Sequence, residues 1–322
     1  MKRNKRLKRF LAWFIPCATV FICACVFFGL ARGSGSQSPW DPSKKTNVWV
    51  NKESKSPIVA DGVSEGAYPE NTLLAFKSCV KDESYPASVL LVPVRITSDG
   101  ELVVWENDSV TAADGKQLIT GLTYEQLREY NLGEGFTAPD GTTPYNGLTG
   151  KDIPDDLRAM KLTELFSYMA QYKVVSYVVK IMDGGTAGVA AADALHTVLA
   201  DNDMLGRVIT WFDDNKVGSY INGKYPDMPR AATTREITYF WCNARFDQSR
   251  AQSNYRWAVI IVSADSFFRK DTTVFLNYAH KHNRAVIFTD VDEAKTSASA
   301  LSSLYADGLI TAKPVATAAA MS

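Results

Sequence analysis

The chain has 322 residues, with 35 basic and 35 acidic side chains, five cysteines and three histidines. Residues 1–32 hold seven of the basic residues and none of the acidic ones, which leaves 28 against 35 beyond them, a net charge near −7. That balance argues against nucleic acid or an anionic lipid surface as partner, and the lack of any Cys-x-x-Cys or Cys/His spacing excludes a zinc site of that kind.

Residues 1–9 (MKRNKRLKR) carry six Lys/Arg, and residues 10–31 carry no charge at all. As a helix rising about 1.5 Å per residue, that stretch spans roughly 33 Å, enough for a bilayer core. The pattern predicts a transmembrane anchor at 10–31, a cytoplasmic tail at 1–9 and everything after residue 31 outside the cytoplasm. A cleaved signal peptide is the competing reading, favoured by Gly29 and Ala31 ahead of Arg32, but the apolar run exceeds the usual core of about 7–15 residues. Lipidation at Cys25 is a third, opposed by Val26, Phe27 and Phe28, which continue the apolar run.

Residues 32–55 are rich in Gly, Ser, Pro and Lys and read as a linker. Residues 56–322 form one block of a single-barrel size. Strands are predicted at 57–61 (PIVAD), 88–96 (SVLLVPVRI), 102–106 (LVVWE), 173–182 (KVVSYVVKIM), 207–212 (RVITWF), 230–234 (RAATT), 258–263 (AVIIVS) and 285–290 (AVIFTD). Amphipathic helical patterns lie between most of them. Apolar strands alternating with helices predict an α/β fold, a parallel (β/α)8 TIM barrel. Residues 107–160 hold many turn residues and one short helical pattern (TYEQLREY), and are expected to cover the barrel mouth. Cys79 and Cys242, the two cysteines beyond the span, form either a disulfide or two buried thiols.

The stretch PENTLLAF (69–76), the turn Thr97–Ser98–Asp99–Gly100 and the strand Val103–Val104 resemble the glycerophosphodiester phosphodiesterase family. That family runs from a His-Arg-Gly strand end through Pro-Glu-Asn-Thr, a Glu-x-Asp strand end and an Asp-Gly turn to a strand ending in His-Asp. GLTYEQLREYNLGEG, VITWFD and AVIFTDVDEAKTSASALSSLYADGLITAKP are similar to its helix after the third strand, its fifth strand, and its eighth strand with the last helix and closing turn. The resemblance implies phosphodiester hydrolysis by two histidines, an arginine on the phosphate and carboxylates around a divalent cation.

At those positions the residue types differ. Counted from Pro69, His-Arg-Gly falls on Asp61–Gly62–Val63; counted from Asp99, Glu-x-Asp falls on Leu91–Val92–Pro93 and His-Asp on Glu106–Asn107. The family's fourth-strand glutamate has no counterpart before Asp183 in SYVVKIMDG, where Lys180 stands. A hard cation needs several oxygen ligands, which Leu91 and Pro93 do not supply, so no cofactor is expected. His196, His280 and His282 fall in helical patterns, outside a barrel and away from its mouth.

Asp61 and Glu106 are the candidate catalytic pair, since neighbouring carboxylates split their pKa values for acid–base work. Arg95, Asn107, Asp108 and Lys180 are candidate pocket residues. Arg95 could bind an anion or pair with Asp61 or Glu106, and Asp108 could join these two around a metal. Asn71 is expected to cap the first helix, and Trp105, Phe212, Phe240 and Trp241 to pack. The reading that follows is a membrane-anchored, extracytoplasmic, catalytically degenerate barrel binding a ligand or protein partner at its mouth. The alternative is an active phosphoric diester hydrolase rebuilt on Asp61 and Glu106, the one case in which Ca or Mg is expected.

Overall fold

The computed structural model describes residues 47–322 except 54, 83, 113–114, 173–174, 247–254, 266–271 and 292–297. The expected anchor at 10–31, its tail and most of the expected linker lie outside the described residues. No described helix is long and apolar enough to cross a membrane.

The described strands are β1 (Ile58–Ala60), β2 (Val89–Ile96), β3 (Leu102–Val104), β4 (Ser109–Ala112), β5 (Gly115–Leu118), β6 (Ser176–Ile181), β7 (Val208–Phe212), β8 (Val259–Ser263), β9 (Ala285–Thr289) and β10 (Gly308–Thr311). Seven of them form a parallel sheet in the order β7-β6-β2-β1-β10-β9-β8. The chain at 230–231 bridges its two ends, Arg230 pairing with Thr210 of β7 and Ala231 with Val259 of β8, both parallel. The predicted strand RAATT is thus reduced to this pair of bridges, and with it the sheet closes into an α/β barrel.

Two staves differ from expectation. LVVWE is not a barrel strand: β3 runs antiparallel to β2, with Val94 opposite Val104 and Ile96 opposite Leu102. A parallel crossover needs about a dozen residues or more, and only residues 97–101 lie between, so the chain turns back. Gly100 takes φ +82° in that turn, a region glycine enters without steric cost. The missing stave is β10, expected as part of a closing turn, which pairs with β1 and β9. Its four residues are too few to show a period.

Every residue of β2 is buried, because helices cover one face and the opposite staves the other. Alternation sorts them: Leu90, Val92 and Val94 pack outward in one cluster with helices Leu73–Lys81, Leu162–Met169 and Gly185–Asp201. Val89 and Leu91 point into the barrel, against Val59, Val178, Ile209 and Ile310. A third cluster joins β8, β9 and β10 to helices Thr234–Arg245 and Thr272–Lys281 around Phe240. Each such aliphatic or aromatic side chain contributes about 1.5–3 kcal/mol when fully buried.

Residues 47–56, within or next to the expected linker, are fastened to the barrel. Asn47 donates Nδ2 to the Ala258 carbonyl at 2.8 Å, the Asn51 amide donates to Asp307 at 2.6 Å, and Ser56 donates to the Ala306 carbonyl at 2.7 Å. Trp49 and Val50 pack against the barrel-interior cluster.

The segment after β3 has its own small core, in which Trp105, Val110, Ile119, Leu122, Tyr124 and Leu127 pack on Val103. It holds the hairpin β4–β5 and the helix Tyr124–Leu127, whose capping box joins Thr123 and Gln126. Cys79 and Cys242 are both thiols, not a disulfide.

Candidate functional site

A cavity of about 570 Å³ opens at the carboxyl ends of the parallel strands, the end where barrels place their chemistry. Leu91 and Pro93 of β2, Lys180 of β6 and Ile310 of β10 lie deepest in sequence terms, within their strands. Asp61, Glu106, Trp211, Asp265, Thr289 and Asp290 stand at or just beyond strand ends. No described residue of 107–160 lines it, so the described part of that segment does not cover this cavity as expected: β3 carries it outward, and it packs on its own core.

Asp61 sits where β1 runs out, its amide donating to the Thr311 carbonyl at 3.0 Å. The two residues after it are left-handed, Gly62 at φ +65° and Val63 at φ +69°. Val63 is fully buried, and Tyr85 donates its hydroxyl to the Val63 carbonyl at 2.6 Å. A β-branched residue is strained there, and packing around it holds the turn. A Cβ on Gly62 would come within 2.7 Å of the Glu70 side chain, so a larger side chain at 62 requires Glu70 to move.

Burial first, then the charges of Glu106 and Glu70, push the Asp61 carboxyl up to about 6, against the opposing pull of the Gly62 amide and Lys180. Burial and Glu106 likewise raise Glu70. The folded state therefore binds a proton at Asp61 where the unfolded chain does not, and stability falls as pH rises from about 4 to about 6. Asp61→Asn should leave stability unchanged near pH 4 and raise it by about 1–3 kcal/mol above pH 7, read from urea melts at both values. Equal effects at the two pH values would contradict this origin of the shift.

Lys180 stacks its ammonium 4.1 Å from the centre of the Trp211 ring and pairs with Asp213 at 3.1 Å. Arg95, a candidate pocket residue, lies outside the lining. Its Nη1 meets Asp183 at 2.7 Å, and its Nε and Nη2 donate to the Glu106 carbonyl at 3.0 and 2.9 Å. Its partner is Asp183 rather than the Asp61 or Glu106 carboxylate. Asn107 and Asp108 are also outside the cavity and exposed; Asp108 faces Lys116 across the β4–β5 hairpin at 3.1 Å. The helix cap is Thr72, whose hydroxyl accepts from the Ala75 amide at 3.2 Å. Asn71 instead has φ +59° and gives Nδ2 to Glu106 at 3.4 Å. The three histidines lie off the cavity, His196 with Asp227 and His280 with Asp307.

Residues 64–316 match the model of the glycerophosphoryl diester phosphodiesterase family. The chain belongs to that family. Among solved structures, a glycerophosphoryl diester phosphodiesterase candidate from Silicibacter pomeroyi shares the fold at TM-score 0.63 and 17% identity, over 85% of this chain and 95% of that one. A phosphodiesterase from Oleispira antarctica, solved with the product sn-glycerol-3-phosphate, gives 0.58 and 13%, over 83% and 97%. The glycerophosphodiester phosphodiesterase of Thermotoga maritima gives 0.55 and 17%, over 82% and 97%. No curated protein matches the chain. In this member of the family, Asp61, Leu91, Pro93 and Glu106, onto which the motif count places the family's His, Glu, Asp and His, all line the one cavity. A divalent cation does not fit them: Leu91 and Pro93 have no side-chain oxygen, and the described residues contain no group of three His, Cys, Asp or Glu able to hold a metal.

Trp211, Asp265, Thr289 and Asp290 fall in none of the counted catalytic motifs, though Trp211, Thr289 and Asp290 sit in the stretches similar to the family's fifth and eighth strands. What marks them for the cavity is position, directly at or after the apolar runs VITWF, VIIVS and AVIFT, where a barrel strand opens onto its mouth.

Proposed function

We propose that this chain is a catalytically degenerate member of the family that binds a ligand or partner at its mouth instead of hydrolysing glycerophosphodiesters. The observation that supports this reading is the charge of the described residues in the lining: Asp61, Glu106, Asp265 and Asp290, with Lys180 the one base among those described, itself occupied by Asp213 and Trp211. A phosphodiester entering there meets like charges across a partly desolvated space, where repulsion is least screened. Incubation of the purified full chain with glycerophosphocholine, with and without Mg²⁺ or Ca²⁺, should release no glycerol 3-phosphate above the buffer rate. Turnover on the order of 1 s⁻¹ or faster would sink the reading.

Residues 10–31 anchor this barrel to a membrane and hold it outside the cytoplasm. Support comes from the six basic residues followed by an uncharged stretch of bilayer length. Extraction of the chain by detergent but not by salt is the expected result, and recovery of a soluble chain beginning near residue 32 would count against it.

One observation favours a second reading, a hydrolase rebuilt on Asp61 and Glu106. An acid titrating at about 6 beside another carboxylate is the pattern of a general acid and its partner. On that reading Asp61→Asn abolishes a hydrolytic activity while the barrel stays folded; on ours there is no activity to lose.

A further inference from the structure

We infer that one water molecule is built into the barrel wall where β7 meets the chain at 230–231, bridging the Thr210 hydroxyl and Nε of Arg230. Ile209 and Ala231 belong to the barrel-interior cluster, so the alternation of extended chain turns Thr210 and Arg230 to the outer face. The two residues are partners in a parallel bridge, which sets their backbones about 4.8 Å apart. Both are withdrawn from solvent, Thr210 at 0% and Arg230 at 2% exposure.

A guanidinium carries five N–H donors. In Arg230, Nη1 donates to Glu236 and the Ala231 carbonyl, and Nη2 to Glu236 and Asn222. The fifth donor, on Nε, has no partner among the described residues, and neither has the Thr210 hydroxyl. They stand on paired residues, yet neither bonds the other. The backbone at this point is spoken for: Thr210 donates its amide to Pro229 at 3.0 Å, Ala231 to Thr210 at 2.8 Å and Ala258 to Arg230 at 2.9 Å. Buried N–H and hydroxyl groups are nearly always hydrogen-bonded, to protein or to ordered water, because an unmet one forfeits its hydration for nothing in return.

Charge decides what can span the pair. Arg230 and Glu236 already neutralise one another at 2.8 Å. An anion accepting from Nε would face the Glu236 carboxylate in a buried setting, where repulsion is little screened. A second cation would face the guanidinium. A neutral molecule that accepts from Nε and exchanges a hydrogen bond with the hydroxyl satisfies both atoms, and water is the smallest that does so. This site is separate from the mouth and does not depend on what binds there.

Crystals of the purified full chain grown in sodium bromide, with melting curves of the wild type and Thr210→Val, test this. The expected result is one density peak about 2.7–3.2 Å from both Nε and the hydroxyl, without the anomalous signal of bromide. Thr210→Val keeps the side-chain shape but removes the hydroxyl, so the peak should go and the midpoint fall by about 2–4 °C. A hydroxyl with no partner predicts the opposite sign, since its removal relieves a burial cost. Thr210→Ser keeps the hydroxyl and should keep the peak, which serves if Thr210→Val does not fold. The inference is overturned by no peak between the two atoms, by Nε bonded directly to the Thr210 hydroxyl, or by bromide at that position. Loss of the peak in Thr210→Ser, or a Thr210→Val midpoint at or above wild type, overturns it equally.

Discussion

Asp183→Ala should destabilise the barrel by about 3–5 kcal/mol in urea-induced unfolding, the largest effect expected of any substitution near the mouth. Its carboxylate is 3% exposed, meets Arg95 at 2.7 Å, and accepts the Ile96 amide at 2.8 Å. Removing it strands a guanidinium that is itself only 11% exposed. The loss should include geometry as well as charge, because Arg95 also holds the Glu106 carbonyl with two donors. That carbonyl belongs to the residue whose carboxylate lines the cavity, so the ion pair fixes where one acid of the rim stands. Replacing both partners by apolar residues of similar volume, Arg95→Met with Asp183→Leu, should cost less than either single change, since no buried charge is left alone. A double variant as unstable as the sum of the singles would argue against the pair being coupled.

Glu236→Gln should cost about 3 kcal/mol or more, and its cost should vanish in acid. Arg230 is 2% exposed and receives Glu236 through two contacts of 2.8 Å, with Asn222 and the Ala231 carbonyl as further acceptors. The same carboxylate accepts the Thr233 amide at 2.8 Å in the capping box of helix Thr234–Arg245. Burial works to raise the Glu236 pKa, but the hydrogen bonds and charge of Arg230 outweigh it, and the carboxyl lies below its ordinary value of 4.5. For a depressed carboxyl, the stability it contributes is present above the unfolded value and is lost as pH falls from 4.5 through the folded one. Wild type and Glu236→Gln should therefore draw together in urea midpoint as pH falls below 4.5 and stand furthest apart above it. Parallel profiles over that range would show that the carboxylate charge is not what holds Arg230.

Much of the barrel was legible because its staves are long runs of Val, Ile and Leu: SVLLVPVRI, KVVSYVVKIM and AVIIVS each contain a strand, Val89–Ile96, Ser176–Ile181 and Val259–Ser263. The antiparallel course of β3 was also readable, since residues 97–101 are too few for a crossover, but an apolar five-residue run looks the same in either direction. β10 and the pair Arg230–Ala231 were not readable. Two to four residues contain no period, and only their neighbours' unpaired edges require them to be strands. At the mouth, counting from Pro69 and Asp99 located Asp61, Leu91, Pro93 and Glu106, because turns of fixed length set those distances. Arg95 was misassigned among acids for lack of three-dimensional information: Asp183 is far away in sequence and adjacent only because β6 lies beside β2. Trp211 was hidden as one more apolar residue in a strand.

The seam at 230–231 bears on how the molecule breathes. Between β7 and β8 the ladder consists of two single bridges, whereas β2 and β6 share six registered pairs and β8 and β9 five. The two outer apolar clusters divide along the same line, one around β1, β2, β6 and β7, the other around β8, β9 and β10, while the barrel-interior cluster, with Ile209, Ala231 and Val259, crosses it. Amide protons at the seam, those of Thr210, Ala231 and Ala232, should exchange with solvent well before those of β2 and β6. The seam is then the first part of the barrel wall to open, while the ladders on either side of it stay intact.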